Sequence, residues 1–371
     1  MRRCVVSIAL LGLVLGGAAA CSKDPAPSTG QQNGPIAVKA TDTACEVARG
    51  EHPAGTVTFI VKNEGSKVTE FYVYAAGDRV MGEVENITPG LTRELKVELV
   101  AGAYETACKP GMVGRGIRGA FKVSGSAQAL TGDAKLAAAT ESYQRYVKSQ
   151  TDTLLVKTQE FVDAVKAGDI PKAKALFPIA RTYWERIEPV AEIFGDLDPK
   201  IDGREDEDPF TGFHKLERDL WVDNDVSKSG PMADQLMVDI KEIVQKANSE
   251  KLSPLQLANG AKELLDEVAT GKITGEEDRY SHTDLWDFIA NVQGSQAAVQ
   301  ALRPVLEERS PALVAELDTN FAKVLSTMEK HRAGDGWKLH NELSQADLKE
   351  LTDVINALGE PVSKVAAVVA G

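Results

Sequence analysis

His214 and Glu217 lie three residues apart in FTGFHKLERDLW, residues 210–221, and both are residue types that bind metals. Residues three apart on a helix share one face, so the imidazole and the carboxylate can bind one ion. Cations of intermediate hardness accept both kinds of ligand. The same spacing is also typical of a core histidine or a surface pair, and the motif alone favours that interpretation.

The chain that precedes this motif is rich in carboxylates. Glu185, Glu188 and Glu192 recur at spacings of three and four residues beside apolar residues such as Trp184. A carboxylate that is buried needs a proton, hydrogen bonds or a cation. This helical stripe therefore favours a metal site, whereas we expect most of the acidic run 202–208 to be a solvated loop.

The charge of the whole chain agrees with a cation ligand. The 371 residues carry a formal net charge of −13, which argues against nucleic acid as a partner because phosphates require a basic surface. The length suits two domains.

The N-terminus is typical of an exported protein. The apolar run 5–20 is short, ends in small residues and is followed at once by Cys21, which predicts a signal peptide over 1–20. The sequence AAAC resembles a bacterial lipobox, although Ala18 stands where leucine is usual, and it favours lipidation of Cys21 over ordinary cleavage. Residues 21–35 would be a polar tether, and we expect the protein in the periplasm or on the outer face of the cytoplasmic membrane.

The rest of the chain has two regions of different periodicity. Residues 36–124 alternate in short runs rich in Val, Thr, Phe and Tyr, which predicts a small β-sandwich. Residues 136–371 have apolar residues at helical spacing, and Ser253-Pro254-Leu255-Gln256 is a typical helix start, so we predict a helical bundle. Residues 125–135 would be the hinge between the two domains.

Cys45 and Cys108 are the cysteines that remain in the β region. In an oxidising compartment they are expected to form a disulfide. Cys108 and Met112 also have the order of a blue-copper ligand loop, but the histidine of such a loop is missing, so we do not expect an electron carrier. Glu83 and Glu85 can form a second carboxylate site or can face solvent on alternate positions.

Three stretches resemble the imelysin-like family, specifically its EfeO-type iron-uptake members. They are IEPVAEIFGDLDPKIDGRED, GFHKLE and GEEDRYSHTDLWDFIANVQGSQAAV, and the resemblance covers most of residues 135–371. Longer members carry a cupredoxin-like domain in front of the helices. The resemblance therefore implies a multidomain β + α protein, with an N-terminal cupredoxin-like β-sandwich followed by an imelysin-like helical bundle.

The same resemblance implies two sets of metal ligands. In the helical domain His214 and Glu217 would bind iron, with Glu188 and Asp234 as further ligands. In the β domain the implied metal ligands are Cys45, Glu70, Cys108 and Met112. The thiolates of this set would favour copper as the bound ion. A disulfide between the two cysteines is the competing interpretation.

The resemblance also implies a function and partners. We expect a lipid-anchored component of an EfeUOB-type system that captures iron and delivers it to a membrane permease, alongside an exported haem peroxidase. The family is also classed among peptidases, but the chain has no H-E-x-x-H motif of the kind that zinc peptidases use. The other alternative is a non-catalytic adhesin of the cell envelope, and the charge of −13 counts against a polyanionic ligand for it.

Overall fold

Short strands with alternating burial form the first half of the structure. The structure is a computed structural model that describes residues 33–195, 197–205 and 210–371. In β1, Ile36, Val38 and Ala40 are buried and the residues between them are exposed, which is the period of two expected for a strand. The strands are β1 (Ile36–Ala40), β2 (Cys45–Val47), β3 (Glu51–Pro53), β4 (Gly55–Asn63), β5 (Thr69–Tyr74), β6 (Val80–Ile87), β7 (Thr92–Leu99), β8 (Gly102–Pro110) and β9 (Ile117–Ser124).

These strands form two sheets that enclose an apolar core. The first sheet has the order β2-β1-β4-β7 and the second the order β3-β9-β8-β5-β6. The ring of Phe59 in the first sheet lies 5.1 Å from that of Phe71 and 5.3 Å from that of Phe121 in the second, measured between centroids. The predicted β-sandwich is therefore confirmed.

The second half is helical. The helices are α1 (Ala134–Lys166), α2 (Ile170–Glu185), α3 (Glu188–Ala191), α4 (Asp198–Asp202), α5 (Gly212–Arg218), α6 (Gly230–Ser249), α7 (Pro254–Thr270), α8 (Asp284–Arg309), α9 (Pro311–Met328), α10 (Gln345–Val362) and α11 (Val365–Ala370). A π-helical turn, Asp219–Asp223, follows α5, and a hairpin of β10 (Arg332–Ala333) and β11 (Gly336–Trp337) follows α9. The predicted order of β-sandwich and helical bundle is confirmed.

Local sequence explains how individual helices begin. The Ser253 hydroxyl accepts a hydrogen bond from the Gln256 amide, and the Gln256 side chain accepts one from the Ser253 amide. This capping box satisfies two amide groups that lack a partner in the first turn of α7. The predicted helix start at residues 253–256 is confirmed.

The helices pack around two apolar cores. The longest helix, α1, contacts α2, α6 and α8, and α7 contacts α8 and α10. Phe213, Leu216 and Leu220 are fully buried in the core formed with α1, α2 and α6. They hold α5 in a fixed orientation, so that His214 of the same helix points to one defined place.

The two halves contact each other within one compact unit, residues 33–371. The Asn259 side chain of α7 donates to the Lys96 carbonyl of β7 at 2.9 Å. The Leu130 amide, in the predicted hinge, donates to Glu98 of β7 at 2.7 Å. The first bond attaches the helical half directly to the sandwich, and the second attaches the hinge to it.

The predictions for the N-terminus, which are the signal peptide and lipidation of Cys21, lie outside the described residues. Within residues 33–195, 197–205 and 210–371, no helix has the length and apolar character needed to cross a bilayer.

Candidate metal centre

A close approach of two helices places the functional groups side by side. Gly212, the first residue of α5, has φ +70°, and a Cβ at this position would lie 1.8 Å from the Ile201 carbonyl oxygen of α4. Only glycine combines this conformation with this contact. The contact brings Asp202 of α4 next to His214 of α5.

The Nδ1 atom of His214 is held by Glu217. It lies 3.1 Å from Glu217 Oε2, and the other oxygen, Oε1, accepts hydrogen bonds from the amides of Tyr280 at 3.0 Å and Ser281 at 2.7 Å. Because an ionised carboxylate can only accept, the proton of a neutral imidazole sits on Nδ1 and the lone pair on Nε2. The spacing of three residues thus orients the imidazole as a ligand through Nε2.

Two further carboxylates face that Nε2 atom. It lies 3.3 Å from Asp202 Oδ1 and 3.5 Å from Glu277 Oε1. His214 is only 2% exposed, and among the described residues Nε2 makes no hydrogen bond of good geometry. Buried polar atoms are nearly always satisfied, so this imidazole nitrogen and the two oxygens, all within 4.8 Å of one another, fit a cation.

A second group of atoms surrounds the opposite side of the ring. His214, Glu217 and Asp278 also offer ligand atoms within 4.8 Å of one another. Asp278 Oδ1 is buried and makes no hydrogen bond within the described residues. The hydrogen bond from Nδ1 to Glu217 nevertheless assigns this side of the imidazole to orientation rather than to binding.

Arg181 of α2 lies at the centre of these carboxylates and is fully buried. It forms ion pairs with carboxylates from four parts of the chain, namely Glu185, Asp202, Glu277, Asp278 and Asp287. A buried guanidinium with several carboxylates keeps their charges together in a medium where each alone would be unstable. Arg181 therefore fixes the shape of the site before any cation arrives.

Lys272 supplies a second buried positive charge, next to the carboxylates that surround Arg181. Its Nζ lies 3.2 Å from Glu185, 3.4 Å from Glu188 and 2.7 Å from Glu267. The carboxylates around Arg181 and Lys272 outnumber these two buried cations. The remaining negative charge must be neutralised by protons or by a bound cation.

Electrostatics concentrate ionised groups at the Nε2 side of His214. Burial opposes the ionisation of Asp202 and Glu277, but Arg181 lowers the pKa of Asp202, and Lys272 together with His214 lowers the pKa of Glu277 well below its usual value. Burial disfavours the imidazolium, yet the neighbouring carboxylates raise the pKa of His214 to about 10. A cation that enters here replaces the second imidazole proton and meets two carboxylates that are already ionised.

The deeper carboxylates behave differently. Burial raises the pKa of Glu185, Glu188, Asp278 and Asp287 well above the usual range, even though Arg181 or Lys272 opposes the shift. These groups can hold protons in the metal-free protein and can release them when a cation binds.

Comparison with known proteins agrees with both halves of the structure. The imelysin family model matches residues 139–365, and the model of the cupredoxin-like domain matches residues 10–121. The iron uptake system components EfeO of Escherichia coli K12, Escherichia coli O157:H7 and Shigella flexneri are each 41% identical over 344 residues, which covers 90% of this chain and 91% of the relative.

The chain belongs to the EfeO family. The family expected from the sequence is thus confirmed, together with the cupredoxin-like and imelysin domains. The relatives are components of iron uptake systems by name.

Glu188, one of the EfeO-type ligands predicted in the helical half, lies among the carboxylates around Lys272. It is buried, and it forms a cluster with Glu185 and Glu267 in which oxygens lie within 4.8 Å of one another. The Asn291 side chain donates to its Oε2 at 3.0 Å. The structure therefore connects Glu188 with the centre through Glu185 rather than placing it on His214.

The structure does not bring Asp234, the other predicted ligand of the helical half, to the His214 centre. Its side chain is 60% exposed and pairs with Lys166 of α1. On α6, Asp234 stands on the solvent side, whereas Leu236 and Met237 face the core.

Sequence reasoning missed Asp202, Glu277 and Arg181. Asp202 begins an acidic run that was expected to be solvated, but it is the last residue of α4 and turns inward to Arg181. Glu277 lies in the EfeO-like stretch GEED, whose two glutamates and aspartate offered a signal. Arg181 gave none, because an arginine in a helix is usually exposed.

In the β half of this EfeO-family chain, Cys45 and Cys108 form a disulfide, with their Cα atoms 5.5 Å apart. The structure therefore has the disulfide that was expected as the alternative to the thiolate ligand set. Glu70 could not complete it, because neighbouring residues of a strand face opposite sides. Phe71 pairs with Cys108 in the core, while Glu70 pairs with Lys109 on the other face.

The predicted ligand Met112 lies at the surface. It is 36% exposed in the turn after β8 and has φ +58°. It does not belong to the sandwich core in which Cys108 is buried. The structure therefore places Met112 outside the core in which the disulfide lies.

Proposed function

We propose that this protein is the exported iron-binding component of an EfeUOB-type uptake system, which captures iron at the His214 centre. The observation that carries the proposal is the buried Nε2 atom of His214, which lacks a hydrogen bond in the described residues and faces Asp202 and Glu277. One imidazole with several carboxylates suits iron, since hard oxygen donors dominate the set. The similarity to iron uptake system components also supports iron as the bound metal.

The residues around the centre have separate roles in this proposal. Asp202 and Glu277 bind the iron with His214, and Glu217 holds the imidazole in the orientation that directs Nε2 at the ion. Arg181 keeps the carboxylates in place when iron is absent, so little rearrangement accompanies binding.

Metal analysis of purified variants tests this assignment. His214→Ala and Asp202→Asn should each weaken iron binding by at least tenfold. Asp234→Asn removes a carboxylate that is exposed and paired with Lys166, and it should bind as the wild type does. The proposal is overturned if His214→Ala and Glu217→Ala both bind ferric iron as tightly as the wild type.

The peptidase alternative requires a free general base. Glu217 is the residue that would have to serve, but one of its oxygens engages His214 and the other accepts two backbone amides. A base must reach the water that it deprotonates. Protein cleavage that disappears in Glu217→Gln would support the peptidase instead.

Delivery completes the proposed function. The protein is exported through its signal peptide and held by a lipid on Cys21, from which it passes iron to a membrane permease in concert with an exported haem peroxidase. The mass of the mature N-terminus tests the anchor, because lipidation adds acyl chains that Cys21→Ser abolishes. Co-purification with the permease tests the partner.

A further inference from the structure

A second group of carboxylates lies where the two halves meet. Glu83 of β6 is 6% exposed and points away from the sandwich core toward the helices. Glu192 comes from the 3-10 turn after α3, and Glu263 comes from α7. Each of the three offers an oxygen within 4.8 Å of the other two.

These three carboxylates have no partner among the described residues. In residues 33–195, 197–205 and 210–371 no hydrogen bond or ion pair reaches the side-chain oxygens of Glu83, Glu192 or Glu263. The nearby cations are engaged elsewhere: Lys109 pairs with Glu70 at 3.5 Å, and Lys262 pairs with Asp266. A carboxylate that is more than nine-tenths buried and unpaired, such as Glu83, calls for a cation or a proton.

The group is open to ions from solvent. A cavity of about 540 Å³ and another of about 290 Å³ both reach Glu83 and Glu85. Glu85 accepts a hydrogen bond from the Tyr72 hydroxyl at 2.8 Å, and Tyr72 lines the smaller cavity. A hydrated ion can therefore approach the three oxygens without unfolding of either half.

We propose that Glu83, Glu192 and Glu263 form a second cation site, which joins the two domains and takes a hard di- or trivalent cation. The donor set consists of carboxylate oxygens alone, which hard cations such as Fe³⁺, Mn²⁺ and Ca²⁺ prefer. Soft ions that require thiolate have no ligand in this group.

The second site adjoins the carboxylates that lead to His214. Glu188 and Glu192, and likewise Glu263 and Glu267, are four residues apart, so each pair shares a helix face. Glu188 and Glu267 in turn cluster with Glu185. This continuity, which rests on the proposed function, makes the interdomain site an outer position for iron on its way to the His214 centre.

Terbium luminescence of the full mature chain tests the second site. Tb³⁺ is a hard trivalent ion that tyrosine sensitises, and Tyr72 lies beside the group. Wild type should bind two equivalents, whereas Glu83→Gln and Glu263→Gln should each lose one equivalent or bind it at least tenfold more weakly. Glu94→Gln is the matched control, because Glu94 lines the same cavity but is exposed.

His214→Ala separates this proposal from the proposed function. It should lose the equivalent that Glu83→Gln retains and should keep the luminescence sensitised by Tyr72. Glutamine has nearly the shape of glutamate, and thermal unfolding of each metal-free variant shows that it is folded. The second site is refuted if Glu83→Gln and Glu263→Gln, both folded, match Glu94→Gln in stoichiometry and affinity.

Discussion

The two buried acidic groups differ in what balances their charge. Around His214, Arg181 and Lys272 are built into the protein and pair with most of the carboxylates. Between the domains, Glu83 and its two neighbours have no such pair within the described residues. The carboxylates around His214 keep their arrangement without a metal. The three carboxylates between the domains repel one another when no metal is bound.

This difference concerns the stability of the metal-free protein. A site with internal cations is pre-organised, because its carboxylates are balanced before a metal binds. A site without them holds buried carboxylates that no protein cation balances, and these destabilise the metal-free fold. Of four changes with successively smaller expected effects, the first and the last, Arg181→Met and Glu83→Gln, test this contrast directly.

Arg181→Met should have the largest effect. It leaves several buried carboxylates without their partner, and breaking a buried ion pair from one side costs about 3–5 kcal/mol. Denaturant unfolding of the metal-free protein measures the loss. Arg303→Met, at the half-exposed pair with Asp318, should cost less than about 1 kcal/mol. Equal losses in the two variants would show that Arg181 is not the internal cation of the site.

Removing the disulfide should destabilise the β half alone. Cys45 and Cys108 are separated by 63 residues, and a loop of this length is worth about 4 kcal/mol in the chain-entropy model. The double substitution Cys45→Ser/Cys108→Ser should lower the unfolding temperature, while iron binding at His214 stays as in wild type. Loss of copper binding by this variant, with unchanged stability, would instead support thiolate ligands.

Glu217→Gln should weaken iron binding by about 10- to 100-fold, as expected for a group that orients a metal-binding histidine. The glutamine keeps a hydrogen-bonding side chain but lacks the charge that Nδ1–H and the two backbone amides favour. Isothermal titration with ferric iron measures the change, with Asp234→Asn as control. If Glu217→Gln decreases the affinity for iron no more than Asp234→Asn does, Glu217 is not required to orient the imidazole.

The sequence predicted the elements well because their signals are local. Alternation marks the strands, and the capping box at Ser253 marks the start of α7, so each depends on neighbours in the chain. His214 and Glu217 belong to the same class, because three residues on a helix define one face.

The remainder of the centre depends on tertiary packing. Asp202 looks like part of a solvated run until Gly212 brings α4 against α5, and Arg181 becomes a buried cation only because α2, α4 and α8 converge on it. Asp234 has the right residue type on the right helix, but it faces solvent. The strand pairing that sends Cys108 and Glu70 to opposite faces is equally a property of the sheet.

Glu83→Gln should have the smallest effect and the opposite sign. Burial and the charges of Glu85 and Glu263 raise the pKa of Glu83, so folding disfavours the ionised carboxylate. Removing the charge should therefore stabilise the metal-free protein slightly. The matched change Glu277→Gln removes a partner of Arg181 and His214 and should destabilise it. The melting temperatures of the two metal-free variants should shift in opposite directions. That result would show that protein cations balance the carboxylates around His214 and that no protein cation balances those between the domains. Shifts of the same sign would contradict this distinction.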